Sequence, residues 1–286
     1  MKNLIVTAPA PLLEYLLANI EKKSKNNIKT LLKNGSVVVD DRITTKFDHM
    51  LKEGQVISFK TTYLDADVDN TLDVIFEDKD IIVINKPEGL LSIATDKEKE
   101  KTAYILVSNY LKKKKKSNRV FIIHRLDRDT SGVLMFAKSE HIKNLYQDEW
   151  NNLVVKRGYL VIVEGKTEKS GTVRSWLHET KSQFVFSSKK REDGKEAITD
   201  YIKLKNTANF SLLDVDIKTG RRNQIRVHMS DIGHPIVGDK KYGSTTNPVK
   251  RLGLHAYVLE LYHPVTKKLM RFEAVTPQSF SQLFDL

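Results

Sequence analysis

The stretch HRLDRDTSG, residues 124–132, places charged side chains between two apolar runs. Asp127 follows the alternating sequence FIIHRL, which predicts a strand, and precedes a Thr-Ser-Gly turn. A carboxylate held at the end of a strand can act as a nucleophile or a base at a sugar carbon. It stays ionised in a partly dry site only beside a cation, and an arginine can supply two parallel hydrogen bonds. Taken alone, Asp127 fits an Asx-turn that caps the DTSG bend better than a catalytic role, although Asp129 fits this structural role better still.

Other common chemistries find no matching motif. The chain has no cysteine, which excludes disulfides, thiolate metal sites and a thiol nucleophile. The glycines of GYLVIVEGKT are too far apart for a phosphate-binding loop, and no G-x-G-x-x-G opens a helix. The eight histidines lack metal-ligand spacing, and Ser131 has no G-x-S-x-G around it. We therefore expect neither a cofactor nor a metal.

Composition points to a polyanionic partner. The 286 residues are 40% hydrophobic and 29% charged, as in ordinary globular proteins, but carry a formal net charge of +12. Such a charge favours a polyanionic partner such as nucleic acid, and a basic surface that serves only solubility is the alternative. The N-terminal sequence has no apolar stretch long enough to span a bilayer and no signal-peptide pattern. These features predict a cytoplasmic protein without a membrane partner.

The charge distribution suggests two domains. Residues 1–60 contain ten Lys/Arg and six Asp/Glu, whereas residues 61–73 contain four Asp and no basic side chain. The acidic stretch is polar and lacks periodicity, which is typical of a linker. We therefore predict a small domain over 1–60, a linker over 61–73 and a large domain over 74–286.

The large domain reads mainly as strands. Short β-rich runs outnumber the helices, such as SEHIKNLYQDEW with its N-cap serine and NQIRVHMSDIG with Gly233 at its end. Because helices and strands do not alternate strictly, we predict an α+β fold with a mixed, mainly antiparallel sheet.

The small domain resembles the S4 RNA-binding domain. LLEYLLANI and NIKTLLKN have helical spacing, and SVVVDDRIT and GQVISF predict a small hairpin. The family usually has a Ser-Arg pair and an Asn-Gly turn where this chain has SKNN and DDR, so the match is partial. A basic helical cap is the alternative. The resemblance implies phosphate contacts by Lys25, Lys29, Lys33, Arg42 and Lys46.

The large domain resembles the RluA/RluD family of pseudouridine synthases. HRLDRDTSG matches the family pattern H-R-L-D-x-x-T-S-G. INKPEGLL, GYLVIVEG, TGRRNQIRVHM, GHPIVGDKKYG and LHAYVLELYHP resemble further family motifs in the family's order. The resemblance covers nearly all of residues 74–286. One departure is Asn223, where the family usually has histidine.

The resemblance implies a role for each site residue. Asp127 is expected to be the catalytic carboxylate, attacking C1′ or acting as a base at C2′, and Arg226 its paired cation. Tyr159 is expected to stack on the target base and Ile225 to line the pocket. Arg125 is expected to occupy the space left when the uridine leaves its stack.

The partner implied is RNA, most plausibly large-subunit ribosomal RNA, with transfer RNA as an alternative substrate. A noncatalytic RNA-binding or ribosome-assembly protein would need only the basic surface. A glycosidic-bond hydrolase would need a second carboxylate, and only Asp129 lies nearby in sequence. The lysine run 112–116, read as a loop, could be merely solvated or could bind phosphates, and Arg221 and Arg222 are further RNA-binding candidates.

Overall fold

The computed structural model describes residues 4–20, 28–29, 32, 37–40, 42–59, 72–95, 98 and 101–284. The chain divides into two compact units, Met1–Val68 and Asp69–Leu286. None of the helices in these ranges is long and apolar enough to cross a membrane.

The small unit packs helix α1 (Leu12–Asn19) against a four-stranded antiparallel sheet. The sheet order is β1-β4-β2-β3, formed by β1 (Leu4–Ile5), β2 (Val37–Val39), β3 (Arg42–Ile43) and β4 (Val56–Phe59). Strand β1 was not predicted. Of the predicted second helix, residues 28, 29 and 32 are described and helical, and Ile28 and Leu32 are fully buried.

The large unit is built on one broad sheet, and its strands follow one another along the chain as β5 (Asp73–Glu77), β6 (Ile81–Lys86), β7 (Phe121–Ile122), β8 (Ser131–Ala137), β9 (Val154–Glu164), β10 (Ser170–Glu179), β11 (Val185–Ser188), β12 (Lys195–Asn206), β13 (Phe210–Ile217), β14 (Leu254–Tyr262) and β15 (Leu269–Glu273). Their order is β11-β10-β12-β13-β9-β14-β8-β6-β5, with β15 on β14 and β7 on β8. Within this described sheet, β14 and β8 run parallel and the other pairs are antiparallel. The predicted mixed, mainly antiparallel α+β fold is confirmed.

The helices of the large unit are α2 (Ala103–Lys114), α3 (Glu140–Asp148), α4 (Trp150–Leu153), α5 (Gln224–Asp231), α6 (Gln278–Phe284) and a 3-10 turn at Lys240–Tyr242. Ser139 accepts a hydrogen bond from the Ile142 amide at the start of α3, which confirms the predicted N-cap. Gly233 follows α5 with a φ of +79°, a conformation that suits the glycine predicted there.

The centre of the sheet is buried on both faces. Ile81 and Val83 of β6 pack into one hydrophobic cluster, and Ile82 and Ile84 pack into another on the opposite face. All seven residues of β8 are buried. Continuous apolar sequence is therefore required in these strands, because both sides of the sheet are covered. This rigid centre carries the segment that contains Asp127.

Three predicted boundaries differ from the structure. The strand predicted over FIIHRL ends at Ile122, and residues 123–130 are irregular. Lys112–Lys114 form the last turn of α2 rather than a loop, where cationic side chains favour the helix C-terminus. Asp73, placed at the end of the linker, is the first residue of β5.

Candidate active site

The segment that carries Asp127 is irregular but held on both sides. The Ser92 hydroxyl donates to the Leu126 carbonyl at 2.7 Å and accepts from the Leu126 amide at 3.0 Å. The backbone amide of Thr130 donates to the Asp127 carbonyl at 3.2 Å and closes a turn. These bonds replace the ladder bonds that a strand would supply, so the backbone of Asp127 is fixed without a strand.

Lys86 holds the other side of this segment. Its fully buried ammonium donates to the carbonyls of Pro87, Leu90 and Arg128 at 2.9, 2.7 and 3.0 Å. Burial lowers the pKa of Lys86 to about 8, although the charges of Asp129 and Asp127 oppose this shift. The lysine of the INKPEGLL motif therefore ties the end of β6 to the residue after Asp127.

The Thr-Ser-Gly turn attaches the segment to the parallel strand β14. Ser131 Oγ lies 2.8 Å from His255 Nδ1 and accepts from Arg251 at 2.6 Å. Gly132 has a φ of +116°, and a Cβ there would lie 2.0 Å from the Ala256 carbonyl oxygen. Only glycine permits this approach of the two backbones, which explains its place after Ser131.

An open cavity of about 930 Å³ lies beside Asp127. The residues that the resemblance assigns to the pocket all line it, namely Arg125, Asp127, Tyr159, Ile225 and Arg226, together with Arg221 and Arg222. Tyr159 reaches it from β9 and Ile225 and Arg226 from α5. The structure thus brings together residues from three distant parts of the sequence.

Arg226 has two carboxylate neighbours. Its Nη1 lies 3.9 Å from Asp127 Oδ2, whereas its Nε and Nη2 donate to the two oxygens of Asp239 at 2.7 and 2.8 Å. Sequence reasoning missed Asp239, although it lies in the quoted GHPIVGDKKYG motif. Its side chain is only 1% exposed, so it orients Arg226 and is not available as a second carboxylate for a hydrolase.

Asn223 supports Arg226 from a left-handed position. Its φ is 53°, which asparagine adopts more readily than most residues. Its Oδ1 accepts from Arg226 Nη1 at 3.3 Å, and its Nδ2 donates to the Tyr242 hydroxyl at 3.0 Å. The Tyr242 ring lies 5.0 Å from the Arg226 guanidinium. Asn223, the position where this chain departs from the family pattern, therefore contacts Arg226 directly.

Comparison with known proteins identifies the family. The RNA pseudouridylate synthase family matches residues 80–231, more than half of the chain. The chain belongs to this family. It is an RNA pseudouridine synthase, an isomerase that acts on RNA.

Relatives match this synthase over most of its length. The uncharacterized RNA pseudouridine synthase YhcT of Bacillus subtilis is 31% identical over 91% of this chain and 83% of the relative. Ribosomal large subunit pseudouridine synthase D of Haemophilus influenzae is 30% identical over 92% and 86%. The same-named protein of Nitrosomonas europaea is 35% identical over 74% of this chain and 64% of the relative.

Solved structures agree on the fold. The human RNA pseudouridylate synthase domain containing 4 superposes with a TM-score of 0.60 at 22% identity, covering 73% of this chain and 90% of the other. The human domain containing 1 gives 0.57 at 24% identity, covering 77% and 89%. The large unit of the synthase thus has the pseudouridylate synthase fold.

Burial affects the pKa values of two groups in the cavity, the Asp127 carboxyl and the Tyr159 phenol. Burial raises the pKa of the Asp127 carboxyl above its usual value, and the charges of Arg226, Arg222, Arg125 and Lys86 oppose this shift. Burial also raises the pKa of the Tyr159 phenol to about 12. Tyr159 is therefore a neutral ring at physiological pH, whereas Asp127 depends on the surrounding cations for its charge.

The remaining basic residues of the synthase differ in their surroundings. Arg221 donates to the Glu196 carbonyl at 2.9 Å, and Arg222 pairs with Glu179 and donates to Gln183 at 3.1 Å. In the small unit, Arg42 and Lys46 are exposed and Lys29 is half-buried, whereas Lys25 and Lys33 lie outside the described residues. The described residues contain no group of three or more His, Asp or Glu side chains that could hold a metal ion.

Proposed function

We propose that this synthase isomerises uridines in large-subunit ribosomal RNA, with Asp127 as the catalytic carboxylate. The observation that carries this proposal is the position of Asp127, which lines a cavity together with Arg226, Tyr159 and Arg125. Its side chain is 31% exposed, so the carboxylate can be reached by a sugar in that cavity. Asp129, by contrast, lies on the exposed turn.

In the proposed reaction the C1′–N1 bond of uridine breaks, uracil turns in the cavity, and a C1′–C5 bond forms. The C5 hydrogen leaves as a proton and N1 gains one, so the product is an isomer. Asp127 acts as a nucleophile at C1′ or as a base at C2′, and both roles need the ionised carboxylate. Arg226 favours that charge from 3.9 Å, while its bonds to Asp239 fix its orientation.

The detached base is held by neutral side chains. Tyr159 offers an aromatic face, a contact that tolerates rotation of the uracil better than fixed hydrogen bonds would. Ile225 is 5% exposed and supplies an apolar wall. Arg125 is exposed at the rim, where its guanidinium can replace the flipped uridine in the RNA stack.

Two observations support ribosomal RNA as the substrate. Relatives covering most of the chain are named ribosomal large subunit pseudouridine synthases. The small unit, which we propose is an S4-like RNA-binding domain over residues 1–60, exposes Arg42 and Lys46, which can pair with RNA phosphates. Such a substrate would place the enzyme in the cytoplasm.

The test uses RNA labelled with tritium at uracil C5, taken from cells that lack the gene. Large-subunit ribosomal RNA and transfer RNA are purified separately and treated with wild type, Asp127→Ala and Asp129→Ala. We expect wild type and Asp129→Ala to release tritium to water from ribosomal RNA, and Asp127→Ala to release none. Release from transfer RNA alone would contradict the substrate proposal. Full activity of Asp127→Ala would contradict the assignment of the catalytic residue.

A further inference from the structure

The β-hairpin formed by β10 and β11 lies beside the cavity and exposes two aromatic rings. Phe184 and Phe186, in and next to β11, are 38% and 43% exposed, more than any other phenylalanine whose side chain is described. Phe186 lies in β11 beside its cross-strand neighbour His178, and Phe184 immediately precedes the strand. Isolated exposed apolar residues are normal on protein surfaces, but two exposed aromatic rings two positions apart indicate a contact surface.

Both rings are already ordered by stacking. Phe186 lies on the His178 imidazole with a centroid distance of 5.3 Å and an interplanar angle of 17°. Phe184 lies on Tyr242 at 5.5 Å and 28°. One face of each ring is thus covered and the ring stays exposed on another side. When a partner stacks on these rings, the protein would therefore lose little conformational entropy.

The charge of the hairpin turn and of the segment that follows it selects the partner. Residues 180–195, which span this turn, β11 and the connection to β12, contain five basic and two acidic side chains, a net charge of +3, and all the basic ones are exposed. Lys241 adds its ammonium 5.4 Å from the Phe184 ring centre. A second copy of this chain would present the same positive charge and be repelled. Aromatic rings among cations suit unpaired nucleotides, whose bases stack and whose phosphates pair.

The hairpin is continuous with the active site. Arg222 lines the cavity and pairs with Glu179 and Gln183 of the hairpin. Tyr242, on which Phe184 stacks, lies against Arg226. An RNA strand whose target uridine enters the cavity can therefore continue over the hairpin.

We propose that Phe184 and Phe186, with the basic side chains of residues 180–195, bind unpaired nucleotides that flank the target uridine. We call these side chains the hairpin surface. This inference rests on the proposed function, because the hairpin surface would be a second contact with the same RNA. Phosphates are held by Lys181, Lys189, Lys190 and Arg191, and one base stacks on Phe186.

The test measures binding of the full-length protein to a fluorescent single-stranded oligouridylate and to an RNA duplex over a range of salt. We expect Phe186→Leu to bind the single strand about tenfold more weakly, with an unchanged salt slope, because stacking is lost but no charge is. Phe186→Tyr should bind normally. Substituting Lys189 and Lys190 by glutamine should reduce the slope of log Kd against log salt by about 1.4, because each contact with a single strand contributes about 0.7. Duplex binding should be unaffected by Phe186→Leu.

Tyr262→Leu is the matched control, because Tyr262 is an aromatic residue with a similar exposure of 41%. Strand β14 begins at Leu254, which lines the cavity, and Tyr262 lies at its other end, away from the cavity. Equal binding by wild type, Phe186→Leu and the control would overturn the proposal. So would loss of a dimer in Phe186→Leu, seen by sedimentation, with RNA binding unchanged. In the tritium assay Phe186→Leu should raise KM and keep kcat. If wild type released no tritium but the binding differences held, the proposed function would fail and the hairpin surface would stand.

Discussion

Arg226 is bonded more closely to Asp239 than to Asp127. Two hydrogen bonds of 2.7 and 2.8 Å join it to Asp239, and 3.9 Å separates it from the Asp127 carboxylate. A guanidinium held by a buried carboxylate cannot move freely toward a partner, so its position before substrate binding is set by Asp239. The cation is therefore preorganised for charge at the cavity.

Asp239→Asn should reduce both activity and stability. The change leaves Arg226 with a neutral partner, and breaking a buried pair costs about 3 kcal/mol of unfolding free energy. A loosened Arg226 should lower kcat by about 100-fold. Urea unfolding and tritium release measure the two effects. Normal kcat in a folded Asp239→Asn variant would show that Arg226 is oriented without this bond.

Asp127→Asn should abolish activity without loss of stability at neutral pH. Because the folded-state pKa of Asp127 is raised above its unfolded value, this group favours folding below the ordinary aspartate pKa. That contribution is lost as pH rises through the raised pKa. At neutral pH the wild type therefore carries a partly buried charge that disfavours folding and that asparagine removes.

Urea midpoints of Asp127→Asn and wild type should thus differ most at neutral pH, with the variant higher, and converge in acid. Asp239→Asn is the comparison, since it also replaces a carboxylate near Arg226 and should be destabilised at neutral pH. A variant at Asp127 less stable than wild type at neutral pH would mean that Arg226 outweighs the effect of burial.

Gly132→Ala should be strongly destabilising. Its Cβ would lie 2.0 Å from the Ala256 carbonyl oxygen, so β8 and β14 would have to separate. We expect a loss of at least about 3 kcal/mol in unfolding free energy and no measurable activity. Gly233→Ala is the matched control: its φ is +79° but nothing lies within 4 Å of the added Cβ. It should cost about 1 kcal/mol. Equal losses would indicate that φ strain alone acts at Gly132.

Lys86→Met should disturb the segment of Asp127. The substitution keeps an unbranched side chain but removes the donor for three carbonyls, which costs about 2–3 kcal/mol. A shift of Asp127 by about 1 Å should lower kcat by about 100-fold. Lys79→Met, whose side chain is 78% exposed in wild type, should change neither quantity. Unaltered kcat in Lys86→Met would show that Ser92 alone holds the segment.

Local sequence patterns predicted much of this protein. The N-cap at Ser139, the helix end at Gly233 and the mainly antiparallel sheet followed from capping, glycine and periodicity, because these signals act between neighbours in the chain. The irregular backbone of residues 123–130 was missed because the sequence FIIHRL is typical of a strand, while the backbone hydrogen bonds of Leu126 go to Ser92 rather than to a ladder.

The site itself depends on contacts between distant parts of the chain. Asp127 was visible from its motif, but the distance of Arg226 from it and the bond to Asp239 arise where α5 and the residues after it meet the end of the sheet. Likewise, Lys86 and Arg128 are 42 positions apart and meet because β6 and β8 are paired. Which strands pair depends on the packing of both faces of the sheet, a property of the whole chain that no short segment contains.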